Sequence, residues 1–312
     1  MDTENLSTMF LNDVTAIDLA YLTEDGRVLG RSVRPQIHVT GVIDPEEKVV
    51  IDFSTVKKFL KAEIDNKEYG YDHKLCVPTS ALKYVSKDTE AGTVRISTPY
   101  CELSLPDNAV RVFDTARYIE FMDAELQHFL GLRLAGAYGE AFRNVDVTLN
   151  SDMQVVHHDV CSSTGLFSYV HGLKSSTSWG CQNIAHGHSS FFQFVGKGPR
   201  ARTICEKQEY LVIAQIEYDL RDAVFVYREN VTGIGSDVTL SYTTDRGTFE
   251  AAFNMDANNV FVLDTETTIE FLVKFFADRY KEQILDMGYR YVVVSEGLSK
   301  GATVDLAPGM VS

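Results

Sequence analysis

The sequence predicts an α+β protein made of two copies of one fold, each an antiparallel sheet with its helices on one face. Two observations carry that reading. Residues 111–122 read RVFDTARYIEFM and residues 261–272 read FVLDTETTIEFL, so Asp-Thr and Ile-Glu-Phe recur at matching offsets. The flanks recur as well. Strand-like stretches at 93–97 and 102–105 precede the first copy, and stretches at 238–241 and 249–253 precede the second. Both read as a β-hairpin feeding an amphipathic helix. Recurrence of motif and flanks together marks an internal repeat. It divides the chain into residues 1–152 and 153–312.

The elements follow in order. In the first copy, residues 14–22 and 34–43 alternate as strands and 49–53 end a strand. Ser54 is placed to cap a helix over 55–64. A second helix follows Asp114-Thr115 as far as Leu132, and 145–148 form a closing strand. In the second copy, 165–171 and 186–195 form a hairpin and 210–218 a strand. A helix follows Asp264-Thr265 as far as Met287, and 291–296 close the copy.

Composition bounds the function. The chain has 312 residues, 45% hydrophobic, enough for two domains with real cores. A net charge of -15 argues against nucleic-acid binding, which leaves a basic footprint. An anionic substrate would need a local basic pocket against that field. Five cysteines (Cys76, Cys101, Cys161, Cys181, Cys205) form no disulfide framework, so a reducing, cytoplasmic setting is expected. The acidic, polar start has no signal-peptide character, and no apolar run is long enough to cross a bilayer.

The densest chemistry is Cys181-Gln182-Asn183-Ile184-Ala185-His186-Gly187-His188, with His171 upstream. Histidines at i and i+2 of a strand share a face. A third imidazole from the preceding strand, His171, could complete a three-nitrogen metal site. Zinc held by three histidines keeps a fourth position open, the pattern of catalytic rather than structural zinc. Cys181 is then a candidate base or nucleophile. A lone His-x-His is common on ordinary surfaces; His171 and Cys181 set this one apart.

These residues resemble the 6-pyruvoyl-tetrahydropterin synthases and the related bacterial 6-carboxy-tetrahydropterin synthases of the queuosine pathway. The resemblance rests on His171, Cys181 and His186-Gly187-His188. It extends to Gly41-Val42-Ile43-Asp44, Ile51-Asp52-Phe53 and Asp72-His73-Lys74-Leu75, to Thr268-Ile269-Glu270 as a partial match, and to Glu296 at the last strand end. The chain departs from the family pattern at Gly297, at Ser189-Ser190 and at Phe271. It implies tandem T-fold (tunnelling fold) domains whose subunits assemble into β-barrels. It also implies a zinc ion on His171, His186 and His188, and 7,8-dihydroneopterin triphosphate as substrate. The first copy carries Asp72-His73 but has Gly30-Arg31-Ser32-Val33-Arg34 where the histidines would fall, and the second has no histidine after His188. One composite site per chain is therefore expected, closed at a domain or chain interface.

The resemblance assigns roles. Cys181 is the general base, His73 oriented by Asp72 shuttles the proton, Glu296 anchors the pterin edge, and Thr268 lies at the substrate. Lys74, Arg31 and Arg34 are the candidate triphosphate ligands. The expected reaction yields 6-carboxy-5,6,7,8-tetrahydropterin with loss of triphosphate and acetaldehyde. The pyruvoyl product is the near alternative, and a non-catalytic zinc-containing pterin- or purine-binding protein is the alternative of another class. The expected assembly is a homo-oligomer, a trimer imitating a hexamer, with a dimer as the alternative, and without nucleic-acid or membrane partners.

Plainer readings stand beside these. Cys181 could be a small buried apolar residue, Asp72-His73 a loop hydrogen bond, and Glu296 an exposed strand-end carboxylate. Glu120 and Glu270 recur in both copies and read as structural. His157-His158 and Lys57-Lys58-Lys61 read as solvated.

Overall fold

The computed structural model describes residues 6–113, 122–153, 162–197 and 206–308. The first Asp-Thr…Ile-Glu-Phe copy, with Glu120, and His157-His158, Cys161 and Cys205 lie outside the described residues.

In the N-terminal half, β1 (Leu6–Leu11), β2 (Ile17–Leu22) and β3 (Val28–Val42) precede helix α1 (Phe53–Ile64). Then come β4 (Leu75–Val77), β5 (Val85–Asp88), β6 (Thr93–Ser97), β7 (Cys101–Pro106), β8 (Val110–Val112), α2 (Met122–Tyr138) and β9 (Phe142–Asn150). In the C-terminal half, β10 (Ser162–His171) and β11 (His186–Lys197) precede α3 (Glu206–Asp219) and β12 (Ala223–Tyr227). They are followed by β13 (Val231–Ile234), β14 (Asp237–Thr244), β15 (Gly247–Asn254), β16 (Asn259–Leu263), α4 (Ile269–Asp286), β17 (Tyr289–Glu296) and β18 (Lys300–Asp305). The order of elements from β2 to β9 recurs from β10 to β17.

The fold is α+β, but its sheets are not purely antiparallel. The first sheet runs β1-β3-β2-β4-β8 with β9 beside β3, and the second runs β16-β12-β10-β11-β17-β18. The β2–β4–β8 and β10–β12–β16 pairs are parallel. A helix returns the chain between hairpin and inner strand in each half, and such a crossover delivers a parallel neighbour. The third sheet, β13-β14-β15-β7-β6-β5, takes three strands from each half, joined where Glu102 faces Ala252. Each of these sheets is an open path among the described residues.

The three largest clusters of buried side chains among the described residues hold the fold together. One packs α1 and α2 on the first sheet through Val56, Leu60, Leu126 and Leu130. Another packs α3 and α4 on the second through Ile213, Ile216, Phe276 and Ile284. The third is shared between the halves, with Ala20, Leu75 and Leu103 against Val170, Val224 and Phe249.

Two local expectations are corrected. Residues 210–218 lie inside α3, where Ile213 and Ile216, with Leu220 just past its end, are buried at helical spacing and Tyr210, Leu211 and Tyr218 are exposed. Residues 49–52 are not strand, and Asp52 rather than Ser54 caps α1, accepting from the Thr55 N–H at 2.9 Å.

The two hairpins cross at glycines. A Cβ on Gly187 would sit 2.6 Å from Gly30 Cα, so neither strand tolerates a side chain there. Beside the crossing, the Ser32 N–H donates to Ser189 Oγ and the Ser189 N–H to Ser32 Oγ, both at 3.2 Å. This reciprocity is that of a local two-fold axis. Ala20 pairs with Gly30 and Leu75, as Val170 does with Gly187 and Val224. By that register Tyr21, Leu29 and Arg31 stand where the other half has His171, His186 and His188. Asp222 stands where the N-terminal half has His73, and both take left-handed φ (53° and 55°).

Candidate active site at the seam between halves

Strand pairing brings the histidines together. His171 ends β10 directly opposite His186, which begins β11, and His188 follows on the same face. All three are buried. One ring nitrogen from each falls within 4.8 Å of the others. His171 Nδ1 faces the Thr267 carbonyl at 2.9 Å, and His186 Nδ1 faces the Asn183 carbonyl at 2.6 Å. His188 Nδ1 lies 3.2 Å from Asp18 Oδ1. With each Nδ1 facing an oxygen, the Nε2 atoms are left for the centre.

A cation fits that centre. His186 Nε2 is buried with no hydrogen-bond partner, and the Nε2 atoms of His171 and His188 are 3.2 Å apart. Tetrahedral bonds of about 2.0–2.1 Å space two ligand nitrogens by about 3.3 Å. Burial lowers the pKa of His171 to about 3, with His188 adding to the shift, and burial also drives His186 well below its ordinary value. Neutral imidazoles are the form that ligates a metal.

A second group adjoins this cage and comes from both halves. Cys181 Sγ is 3.5 Å from His73 Nε2, and His73 Nδ1 is 2.5 Å from Asp72 Oδ2. Burial opposes the charge on His73, but Asp72 and Cys181 hold its pKa well above the ordinary value. Burial raises Cys181, yet its hydrogen bond and charge interaction with His73 bring it below the usual thiol value. The pair favours a thiolate beside an imidazolium. His73 is held in its left-handed backbone from both sides. Its N–H donates to the Asp18 carbonyl at 2.6 Å, and its carbonyl accepts from Asn183 Nδ2 at 3.1 Å.

The loop carrying Cys181 is fixed from below. Arg246, buried, donates to the Gly180 carbonyl at 2.8 Å and to Asn108 Oδ1 at 3.0 Å, and its guanidinium lies 4.0 Å over the Trp179 ring. Tyr242 Oη donates to the Gln182 carbonyl at 2.9 Å.

Glu296 ends β17 at the rim, 3.9 Å from His188 Nε2 and 3.0 Å from Lys300 Nζ. Burial opposes its ionisation, but His188 and Lys300 lower its pKa below the carboxylate norm. Thr268 stands at the N-cap of α4 without a side-chain cap bond. Its neighbour Thr267 is the one that touches His171.

The expected phosphate ligands have protein partners in this structure. Lys74 is buried and donates to the carbonyls of Lys67 and Glu68, Arg31 pairs with Asp123 at 2.7 Å, and Arg34 lies 3.8 Å from Asp13. Lys57, Lys58 and Lys61 are exposed.

Asp18, Thr267, Asn183, Lys300 and Arg246 escaped sequence reasoning. Only Asp18 left a signal, as a lone acid in the apolar run Ile17-Asp18-Leu19-Ala20.

Fold and site together define an α+β protein with a three-histidine cage and an adjoining Cys–His–Asp chain. No family model and no curated protein matches the sequence. Among solved structures, the chain is similar to 6-pyruvoyltetrahydropterin synthase from Plasmodium vivax, at 13% identity and a TM-score of 0.37 over 46% of this chain and 91% of that one. It is also similar to the Plasmodium falciparum enzyme, at 14% identity and a TM-score of 0.37 over 47% of this chain and 91% of that one. No helix among the described residues is long and apolar enough to cross a membrane.

Proposed function

We propose that this protein is a zinc-dependent lyase of the tetrahydropterin synthase type, built from two T-fold units divided at residues 152 and 153. Its substrates would be 7,8-dihydroneopterin triphosphate and one water, and its products 6-carboxy-5,6,7,8-tetrahydropterin, triphosphate and acetaldehyde. One observation carries the reading: the His171–His186–His188 cage abuts a Cys181–His73–Asp72 chain supplied by both halves. A bound zinc ion would lower the pKa of substrate side-chain hydroxyls and so acidify the adjoining C–H bonds.

This chain's own residues do the rest. Cys181 Sγ, kept as thiolate by His73, takes the proton from the side-chain carbon. His73 Nε2 returns a proton, with Asp72 holding Nδ1 so that the ring keeps one orientation. Glu296 offers both oxygens to the amino-pyrimidine edge once Lys300 yields its place. The carboxy product is preferred because the segment Val42–Asp44 with Ile51–Phe53, and the short gap from Cys181 to His186, resemble the bacterial members more closely.

Incubation with dihydroneopterin triphosphate followed by mass identification of products tests the proposal. The expected result is the carboxy compound with acetaldehyde, lost in Cys181→Ala. A pyruvoyl product would name the other synthase, and full activity in Cys181→Ala would end the lyase reading. The hold of Lys300 on Glu296 favours a second reading, a zinc-containing pterin or purine binder without turnover. Binding of the pterin without any product would establish that one. We further propose assembly into a trimer with barrel closure between chains; a monomer by light scattering would exclude it.

A further inference from the structure

We propose that Asp18 is a positioning residue for this site: its carboxylate fixes the His188 ring while its backbone seats the Asp72–His73 pair. The inference rests on the zinc-site reading above and adds a residue that the motifs do not contain.

His171 and His186 are oriented by acceptors from their own half, Thr267 and Asn183. His188 is not. No hydrogen bond satisfies its Nδ1, and Asp18 Oδ1 from the other half faces it at 3.2 Å. Asp18 is 4% exposed, in the second position of β2. A buried carboxylate is costly unless it is paired and hydrogen-bonded. Here Ser32 Oγ donates to it and Lys300 Nζ stands 4.0 Å away. A carboxylate behind a ligating histidine sets tautomer and ring angle and raises ligand basicity.

The backbone of the same residue reaches the other group. The Asp18 N–H donates to Asp72 Oδ1 at 2.9 Å, and its carbonyl accepts from the His73 N–H at 2.6 Å. One residue of the N-terminal half thereby registers the cage against the proton relay. Side chain and backbone act on different partners, so Asp18→Asn removes the charge on His188 while leaving both backbone bonds.

The test measures zinc affinity by chelator competition and the visible spectrum of the cobalt(II)-substituted protein. In Asp18→Asn, affinity is expected to fall by about 10–100-fold and the cobalt spectrum to change, with metal-free melting as in wild type. Wild-type affinity with an unchanged spectrum would overturn the proposal. If Asp18→Asn does not fold, Asp18→Glu is expected to bind zinc more tightly than Asp18→Ser, and equal affinities would overturn it. Wild type that takes up no zinc would overturn the site reading as well, and shows itself before any substitution. Zinc uptake without pterin turnover, with the Asp18→Asn loss intact, supports Asp18 while ending the lyase reading.

Discussion

Burial and charge separate the three described cysteines. Burial pushes the Cys76 thiol up to about 12 and the Cys101 thiol to about 11, whereas the His73 partner brings Cys181 below its ordinary value. Brief iodoacetamide treatment of the native protein at neutral pH, read by peptide mass, should modify Cys181 and leave Cys76 and Cys101 intact. A Cys76 adduct as fast as that of Cys181 would contradict the placement. Lys74 gives a pH dependence. Burial, with Arg246 and Arg111 nearby, lowers it from 10.5 to about 8. The unfolded chain then binds the proton more tightly, so this residue makes stability rise as pH goes from about 8 toward 10.5. Denaturant midpoints should show that rise in wild type and a flatter slope in Lys74→Met over the same window.

At the scale of elements, helix α4 shows what packing decided. Leu272, Val273, Phe276, Tyr280 and Ile284 are buried at helical spacing against the second sheet. Removing the Phe276 ring from that fully buried position should cost about 3–5 kcal/mol, read by denaturant unfolding. A loss under 1 kcal/mol would mean that the helix sits elsewhere. The strand expected at 210–218 fails for a related reason. Its β-branched and aromatic residues suit a strand, but burial of Ile213, Ile216 and Leu220 follows a period of 3.6. The hairpin at 165–195 and the closing strand at 291–296 were legible from short apolar runs, Phe191-Phe192 and Val292-Val293-Val294, which suit strands buried on both faces. The cap of α1 was misplaced by two residues because Asp52 and Ser54 are both good caps and only backbone geometry chooses between them.

Across the whole molecule the halves share one buried cluster and one sheet, so neither can unfold while the other keeps its core. A single calorimetric transition is expected, moved upward by added zinc through preferential binding to the folded state. Two separated transitions would mean that the seam contributes little. The histidine cage has no counterpart across the seam among the described residues. Across the local two-fold, the place of His73 is taken by Asp222, which pairs with Arg27 at 2.6 Å, and that of His188 by Arg31, which pairs with Asp123.

The order of residues alone determined the α+β class, the recurrence of elements, and which side chains are candidates for chemistry: three imidazoles, one thiol and an Asp-His pair. Those are local properties, fixed by alternation, spacing and the donor chemistry of each residue type. Tertiary structure decided that the sheets are mixed, that Cys181 meets His73 across the seam, and that Asp18 stands behind His188. It also paired Arg31 with Asp123 and engaged Lys74 with two backbone carbonyls. Contacts between residues far apart in the chain depend on how two twisted hairpins cross, and no periodicity in either hairpin encodes that crossing.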